Sequence, residues 1–251
     1  MTLHFVGAGP GDPELITVKG QRLLAAADTI IYAGSLVNPA LLGLAKPDAV
    51  IMNSATMTLD EVIAAIAQAT GEGREVVRLH TGDPSIYGAI KEQMDALDER
   101  GIKYEVIPGV SSFLAAAAAL HCEYTLPEVS QTIIVTRLEG RTPVPEREKL
   151  AALASHRATM CIFLSVHMLD SVVGELTAGG YPADTPIAVV QKASWPDEKI
   201  YRGTLATIAR TVEEAGVDRT AMIVVGNCLG DDYALSKLYS PGFGHMFREA
   251  K

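Results

Sequence analysis

The sequence has one tryptophan in 251 residues, aromatics at 6% and three cysteines. So few aromatic rings imply a core of aliphatic side chains. Cys122, Cys161 and Cys228 form an odd, widely spaced set without a CxxC pair. That argues against a disulfide frame or structural zinc, and for reduced thiols in a cytoplasmic protein. The adjacent His121-Cys122 has no second pair at ligand spacing, so no metal is expected. Long apolar runs are lacking as well. The longest, 113–120, is mostly alanine and falls short of the roughly 20 residues a membrane span needs. The stretch Met1-Thr2-Leu3-His4-Phe5-Val6-Gly7 has no basic region or long apolar segment, so no signal peptide is expected. Positive charge is scarce: 21 Lys and Arg stand against 30 Asp and Glu, a net charge of −9. A nucleic-acid or membrane partner is therefore disfavoured. Hydrophobic residues at 48% and charged residues at 20% exclude intrinsic disorder. The length suits one large domain or two small ones.

Short β-branched runs alternate with helical patterns through the first half. Segments 3–6, 29–32, 49–52, 75–80 and 104–107 read as buried strands, and 15–27, 59–70 and 86–100 as helices. Strand-helix alternation implies a mostly parallel sheet with helices on both faces, whose ligands bind beyond the carboxyl ends of the strands. In the second half, 131–136, 159–164, 186–191, 199–203 and 221–225 read as strands, and 146–155, 167–178 and 205–215 as helices. The linker 192–198 is too short for a crossover helix, so 186–191 and 199–203 form an antiparallel hairpin in a mixed sheet. The polar stretch 121–130, with Pro127, marks a boundary between domains 1–122 and 123–251. Residues 141–147, with Pro143 and Pro145, read as an exposed loop, and 231–251 shows no clear periodicity.

Three loops carry the chemistry. Gly7-Ala8-Gly9-Pro10-Gly11-Asp12-Pro13 follows a strand, yet has neither the dinucleotide spacing nor a P-loop. It reads either as a backbone that a ligand can approach closely or as a tight turn with Asp12 as helix cap and Pro13 at the first helical position. His80-Thr81-Gly82-Asp83-Pro84-Ser85-Ile86-Tyr87-Gly88 repeats the Gly-Asp-Pro pattern. Asp83 either caps the next helix or offers its carboxylate to a ribose or amino group. Thr81 and Ser85 add hydroxyls, and Ile86 and Tyr87 an apolar wall. His80 is a structural residue or a general base. In Pro108-Gly109-Val110-Ser111-Ser112-Phe113, Ser111 or Ser112 reads as the cap of an alanine-rich helix, with a ligand contact as a second role. His167 opens a helix. Signatures of a covalent nucleophile are missing, so the residues alone describe a two-domain α/β protein that binds a small ligand through glycine loops.

At these loops the sequence resembles the tetrapyrrole (corrin/porphyrin) methylases that use S-adenosylmethionine. The matching segments are residues 6–17, Thr81-Gly82-Asp83-Pro84 and Ile107-Pro108-Gly109-Val110-Ser111-Ser112, followed by residues 186–194 and Met222-Ile223-Val224-Val225-Gly226. They cover nearly the whole chain in order. Within the family, Ile31-Tyr32-Ala33-Gly34-Ser35-Leu36-Val37-Asn38-Pro39 looks like the branch that methylates C11 of precorrin-4. The resemblance implies a homodimer of two-domain subunits with the methyl donor between the domains. It places Pro10, Thr81, Gly82, Asp83, Ile86, Ser111, Ser112, Ser165 and Ala193 along the donor. Ser165 stands where uroporphyrinogen methylases carry methionine, and Gly7–Asp12 would face the tetrapyrrole. The donor leaves as S-adenosylhomocysteine. No general base is assigned.

Arg137, Arg141 and Lys192 are candidates for the substrate carboxylates, with solvated surface charge as the alternative. Competing functions are a methylase of another corrin carbon, an RNA or protein methylase, a nicotinamide oxidoreductase and a non-catalytic tetrapyrrole carrier. The net charge disfavours RNA, and the glycine spacing disfavours nicotinamide.

Overall fold

The computed structural model describes residues 3–250, apart from the side chain of Ser35. Met1 and Thr2 of the N-terminal reading, Lys251 at the end of the second expected domain, and the Ser35 side chain in the 31–39 segment lie outside the described residues. The chain divides into two compact units, Met1–Ala115 with Lys192–Glu198, and Ala116–Gln191 with Lys199–Lys251.

In the first unit, aliphatic runs bounded by Gly, Pro and Asp become β1 (Leu3–Gly7), β2 (Thr29–Tyr32), β3 (Val50–Asn53), β4 (Val76–His80) and β5 (Tyr104–Ile107). They form one sheet of order β3-β2-β4-β1-β5, with parallel pairings throughout. Successive side chains point to opposite faces of a strand, and the sheet accordingly builds two cores. Val6, Ile30, Val77 and Leu79 pack with Leu24 of α1 (Val18–Ala26). Leu3, Phe5, Ile31 and Val76 pack with Ile63 and Ile66 of α2 (Leu59–Gly71) and Leu97 of α3 (Ile90–Asp98). Reciprocal bonds between Thr58 and Glu61 cap the N-terminus of α2, a device worth about 1 kcal/mol.

Not every strand of this sheet is buried. β3 and β5 are the edges, and Val50 and Ile51 are 42% and 43% exposed. Local pattern reads a strand but not its place in the sheet. Helix starts also differ from the sequence reading. Asp12 caps only the 3₁₀ turn Pro13–Leu15, and α1 begins three residues later behind its own cap, Thr17. The helix expected from residue 86 begins at Ile90. Tyr87 and Ala89 are left-handed at φ 55° and 49°, and Gly88 is pressed against the Pro84 carbonyl. Continuous helix is therefore broken there.

The second unit contains β6 (Ile133–Arg137), β7 (Thr159–Phe163), β8 (Pro186–Gln191), β9 (Lys199–Thr204) and β10 (Ala221–Val225). Their order is β6-β7-β10-β8-β9, with β6 parallel to β7 and every other pairing antiparallel. The expected hairpin is β8–β9, in register from Gln191↔Lys199 to Pro186↔Thr204. Met160, Ile162, Ile187, Val189, Ile223 and Val225 meet α5 (Leu150–Ala154), α6 (Leu169–Ala178) and α7 (Ile208–Glu214) in one aliphatic core. Ahead of α5 and α7 the helical pattern is only partly realised: residues 146–148 form a 3₁₀ turn, and α7 starts at Ile208. His167 sits in the 3₁₀ turn before α6. The helix Ser112–Leu120 (α4) contains the division between the units. Among the described residues no helix is long and apolar enough to cross a membrane.

Candidate active site

Strands β4, β1 and β5 are neighbours, so the loops leaving their carboxyl ends emerge side by side. The ladder continues beyond the strands: Ala8 N–H donates to His80 O at 2.7 Å, Gly82 N–H to Gly9 O at 2.8 Å and Gly9 N–H to Gly82 O at 3.3 Å. The third loop joins through Gly109, whose N–H donates to Asp83 Oδ2 at 2.9 Å. A Cβ at Gly109 would overlap the Gly82 carbonyl and lie 2.8 Å from Gly7 Cα. Gly7 and Gly109 are therefore glycines because three backbones touch here, while Gly82 is left-handed at φ 61°.

Asp83 is the lock of this junction. Its Oδ1 accepts from Ser85 N at 2.8 Å and from the Ser85 hydroxyl, while Oδ2 takes Gly109 N–H. Burial pushes the carboxyl pKa up, but these hydrogen bonds outweigh it and leave the pKa below the usual value. The helix-cap alternative for Asp83 is thereby corrected, since the residue before α3 is Ala89, six positions beyond Asp83, and no side chain caps the helix there.

The first loop is gripped from two directions. Asn38 Nδ2 donates to Gly11 O at 2.8 Å, and Ser194 Oγ accepts from Asp12 N at 3.0 Å. Trp195 Nε1 donates to Pro10 O at 3.1 Å, its ring lying where a Gly11 Cβ would be. Segment Lys192–Glu198, which belongs to the first unit, is itself a tight turn: Lys192 and Ser194 are left-handed, and Ser194 N donates to Glu198 Oε2 at 2.6 Å.

Of the nine expected donor residues, Pro10, Thr81, Gly82, Asp83, Ile86, Ser111, Ser112 and Ala193 all fall in the first unit. Gly82 faces Ser111 and Ser112 directly: a Cβ on it would lie 3.5 Å from Ser111 Cα and 3.7 Å from Ser112 N. Ser111 is the residue before α4, its carbonyl accepting from Leu114 N and Ala115 N. Thr81 Oγ1 is buried without a hydrogen-bond partner, the kind of orphaned polar atom that a ligand satisfies. Ser165 belongs to the second unit. It is fully buried, its hydroxyl donating to Phe163 O at 2.6 Å and accepting from Leu138 N at 2.9 Å.

His80 is 3% exposed. Burial, with the charge of Arg78 behind it, lowers its pKa to about 3, which makes it a poor general base at neutral pH. Among the basic candidates, Arg137 donates to Thr142 O and Pro143 O of its own loop at 3.1 and 2.8 Å. Lys192 pairs with Asp197 at 2.5 Å, and Arg141 is exposed. Among the described residues no group of three or more His, Cys, Asp or Glu is placed to hold a metal ion. Sequence reasoning passed over Trp195, Asn38, Arg78 and Gln93. Only the first carried a local signal, as the lone tryptophan in a hairpin turn.

The sequence model of the family described as Tetrapyrrole (Corrin/Porphyrin) Methylases matches residues 2–209. The chain belongs to this family. It matches relatives along nearly its whole length. It is 60% identical to a cobalt-precorrin-4 C(11)-methyltransferase of Methanocaldococcus jannaschii, over 98% of this chain and 95% of that one. It is 50% identical to a precorrin-4 C(11)-methyltransferase of Pseudomonas aeruginosa, over 99% of both. Among solved structures, a cobalt precorrin-4 methyltransferase superposes with TM-score 0.90 at 48% identity, covering 92% of this chain and 96% of that one. A uroporphyrin-III C-methyl transferase of Thermus thermophilus complexed with S-adenyl homocysteine gives TM-score 0.76 at 28% identity, over 92% and 94%. The tetrapyrrole methylase fold thus accounts for the parallel first sheet and the mixed second one.

Proposed function

We propose that this chain is an S-adenosylmethionine-dependent C-methyltransferase that methylates C11 of precorrin-4 or its cobalt form in cobalamin biosynthesis. The observation that carries this reading is the match over nearly the full length to precorrin-4 C(11)-methyltransferases of both kinds, at 60% and 50% identity. The interlocked loops after β1, β4 and β5 support it as the place where a donor binds.

When bound, S-adenosylmethionine supplies a methyl carbon made electrophilic by the sulfonium, so the protein needs no nucleophile of its own. The residues present fit such a donor. Thr81 brings an unsatisfied buried hydroxyl, in a loop held backbone to backbone against its neighbours at the glycine junction. In this reading Pro10, Thr81, Gly82, Asp83, Ile86, Ser111, Ser112, Ser165 and Ala193 hold the donor, and the loop from Gly7 to Asp12 faces the tetrapyrrole. Catalysis by the protein is then alignment, supplied by loops that are hydrogen-bonded to one another. The homodimer and the cytoplasmic setting belong to the same reading, supported by the family resemblance and by the three free thiols.

Incubation of the purified protein with precorrin-4 and with cobalt-precorrin-4, using methyl-labelled donor, tests the reaction by mass spectrometry. Gain of one labelled methyl at C11 is expected with one or both. Label at another corrin carbon, or binding of tetrapyrrole without transfer, overturns the assignment. Light scattering of the eluting protein reads the dimer.

A further inference from the structure

Arg78 lies in β4 at the centre of the first sheet and is 6% exposed. Burial lowers its pKa only to about 10, so it is charged at neutral pH. A buried cation is costly unless its donors are satisfied, and the partners that satisfy this one are informative. Nη1 donates to Ile31 O at 3.1 Å, at the end of β2. Nε donates to Gln93 Oε1 at 3.0 Å. Gln93, itself buried, passes the contact on: its Nε2 donates to Ala89 O at 3.0 Å.

Ala89 is where the donor loop turns into α3. It is left-handed, as is Tyr87 two residues before it, and no side chain caps the helix there. Alanine and tyrosine adopt this backbone only when surroundings hold them in it. The Gln93 amide bond to Ala89 O is such a hold, and it is anchored on a guanidinium that also grips β2. β2 in turn leads into the segment whose Asn38 binds the Gly11 carbonyl. One buried cation is therefore tied to the bases of two loops of the site.

We propose that Arg78 and Gln93 are positioning residues of the donor loop, with the Gln93 amide as the element that transmits the hold to Ala89. The proposal rests on the reading that residues 81–86 contact the donor. Gln93 must both accept from Arg78 and donate to Ala89, which an amide does and a carboxylate does not. Gln93→Glu separates the two: it keeps the acceptor for Arg78, adds an opposite charge beside the buried cation, and loses the donor.

The expected result for Gln93→Glu is a melting temperature equal to or above that of the wild type. Its dissociation constant for S-adenosylhomocysteine, measured by calorimetry, should rise at least about fivefold, with faster hydrogen exchange at residues 87–90 in the ligand-free protein. A residue with only a structural role would move the melting temperature and leave binding and exchange unchanged. If Gln93→Glu does not fold, Gln93→Asn, one methylene too short for both contacts, gives the same binding and exchange readouts without a new charge. Binding within twofold of wild type and unaltered exchange overturn the proposal. Asp83→Ala, measured alongside, separates the two failures: if it weakens binding while the Gln93 variants do not, the donor reading stands and the relay alone is wrong. If the wild-type protein binds no S-adenosylhomocysteine, the donor reading fails and takes the proposal with it.

Discussion

Trp195 lays its indole on Gly11, leaving no room for a Cβ there, and donates through Nε1 to Pro10 O at 3.1 Å. As the one tryptophan of the sequence, it makes intrinsic fluorescence a probe of this loop alone. Gly11→Ala forces the ring aside. We expect red-shifted emission and a stability loss of about 1–3 kcal/mol, the usual range for overpacking. Unchanged emission and stability would show that the contact is not formed in solution.

Asp83 joins the loops after β4 and β5 through Ser85 and Gly109. Its replacement by alanine releases Gly109 N–H and loosens the turn without opening a core cavity. Affinity for S-adenosylhomocysteine should fall about tenfold or more, or about 1.4 kcal/mol, while the melting temperature changes by only a few degrees. A drop in melting temperature with affinity intact would mean that Asp83 serves the fold and not the ligand.

His80 gives the fold a defined acid sensitivity. Its pKa is lowered from 6.5 to about 3 by burial and by Arg78, so the folded protein holds it neutral. The stability this contributes is fully present above pH 6.5, and it is lost as the pH falls from there toward 3, because the unfolded chain binds the proton first. The slope is at most about 1.4 kcal/mol per pH unit. Urea denaturation of wild type and His80→Gln at pH 7, 6, 5 and 4 measures it. The wild type should lose stability faster on acidification; parallel curves would refute the assignment.

The thiols should be nearly inert in the native protein. Burial is the first cause in each case, raising Cys122 to about 11 and Cys161 to about 12, and Cys228 upward as well. At pH 8 a thiol of pKa 11 is about one-thousandth thiolate, the reactive form. Ellman's reagent should therefore label all three only after denaturation. Rapid labelling of a native cysteine would contradict the burial.

Much of this molecule is legible from local pattern, because strands and helices have periods of their own and glycine and proline punctuate them. The parallel sheet, the mixed sheet and the β8–β9 hairpin follow from such signals, as do the three glycine loops. Where a segment sits among its neighbours does not. Segment 49–52 reads as buried by composition, yet β3 is an edge strand because of the order in which the sheet assembles. Residues 86–89 carry helical spacing, yet packing of Gly88 on Pro84 holds the chain out of the helix.

The site divides along the same line. The residue types that let three backbones meet, and the Gly-Asp-Pro turns that shape two of the loops, are set by the sequence alone. Their joining is tertiary. Gly109 reaches Asp83 across 26 residues, Asp12 reaches Ser194 across 182, and Pro10 reaches Trp195 across 185. No local propensity encodes bonds of that span. They form because the sheet places β4, β1 and β5 side by side and folding brings the hairpin turn onto the first loop, which also turns Asp83 from a possible helix cap into the tie between two loops.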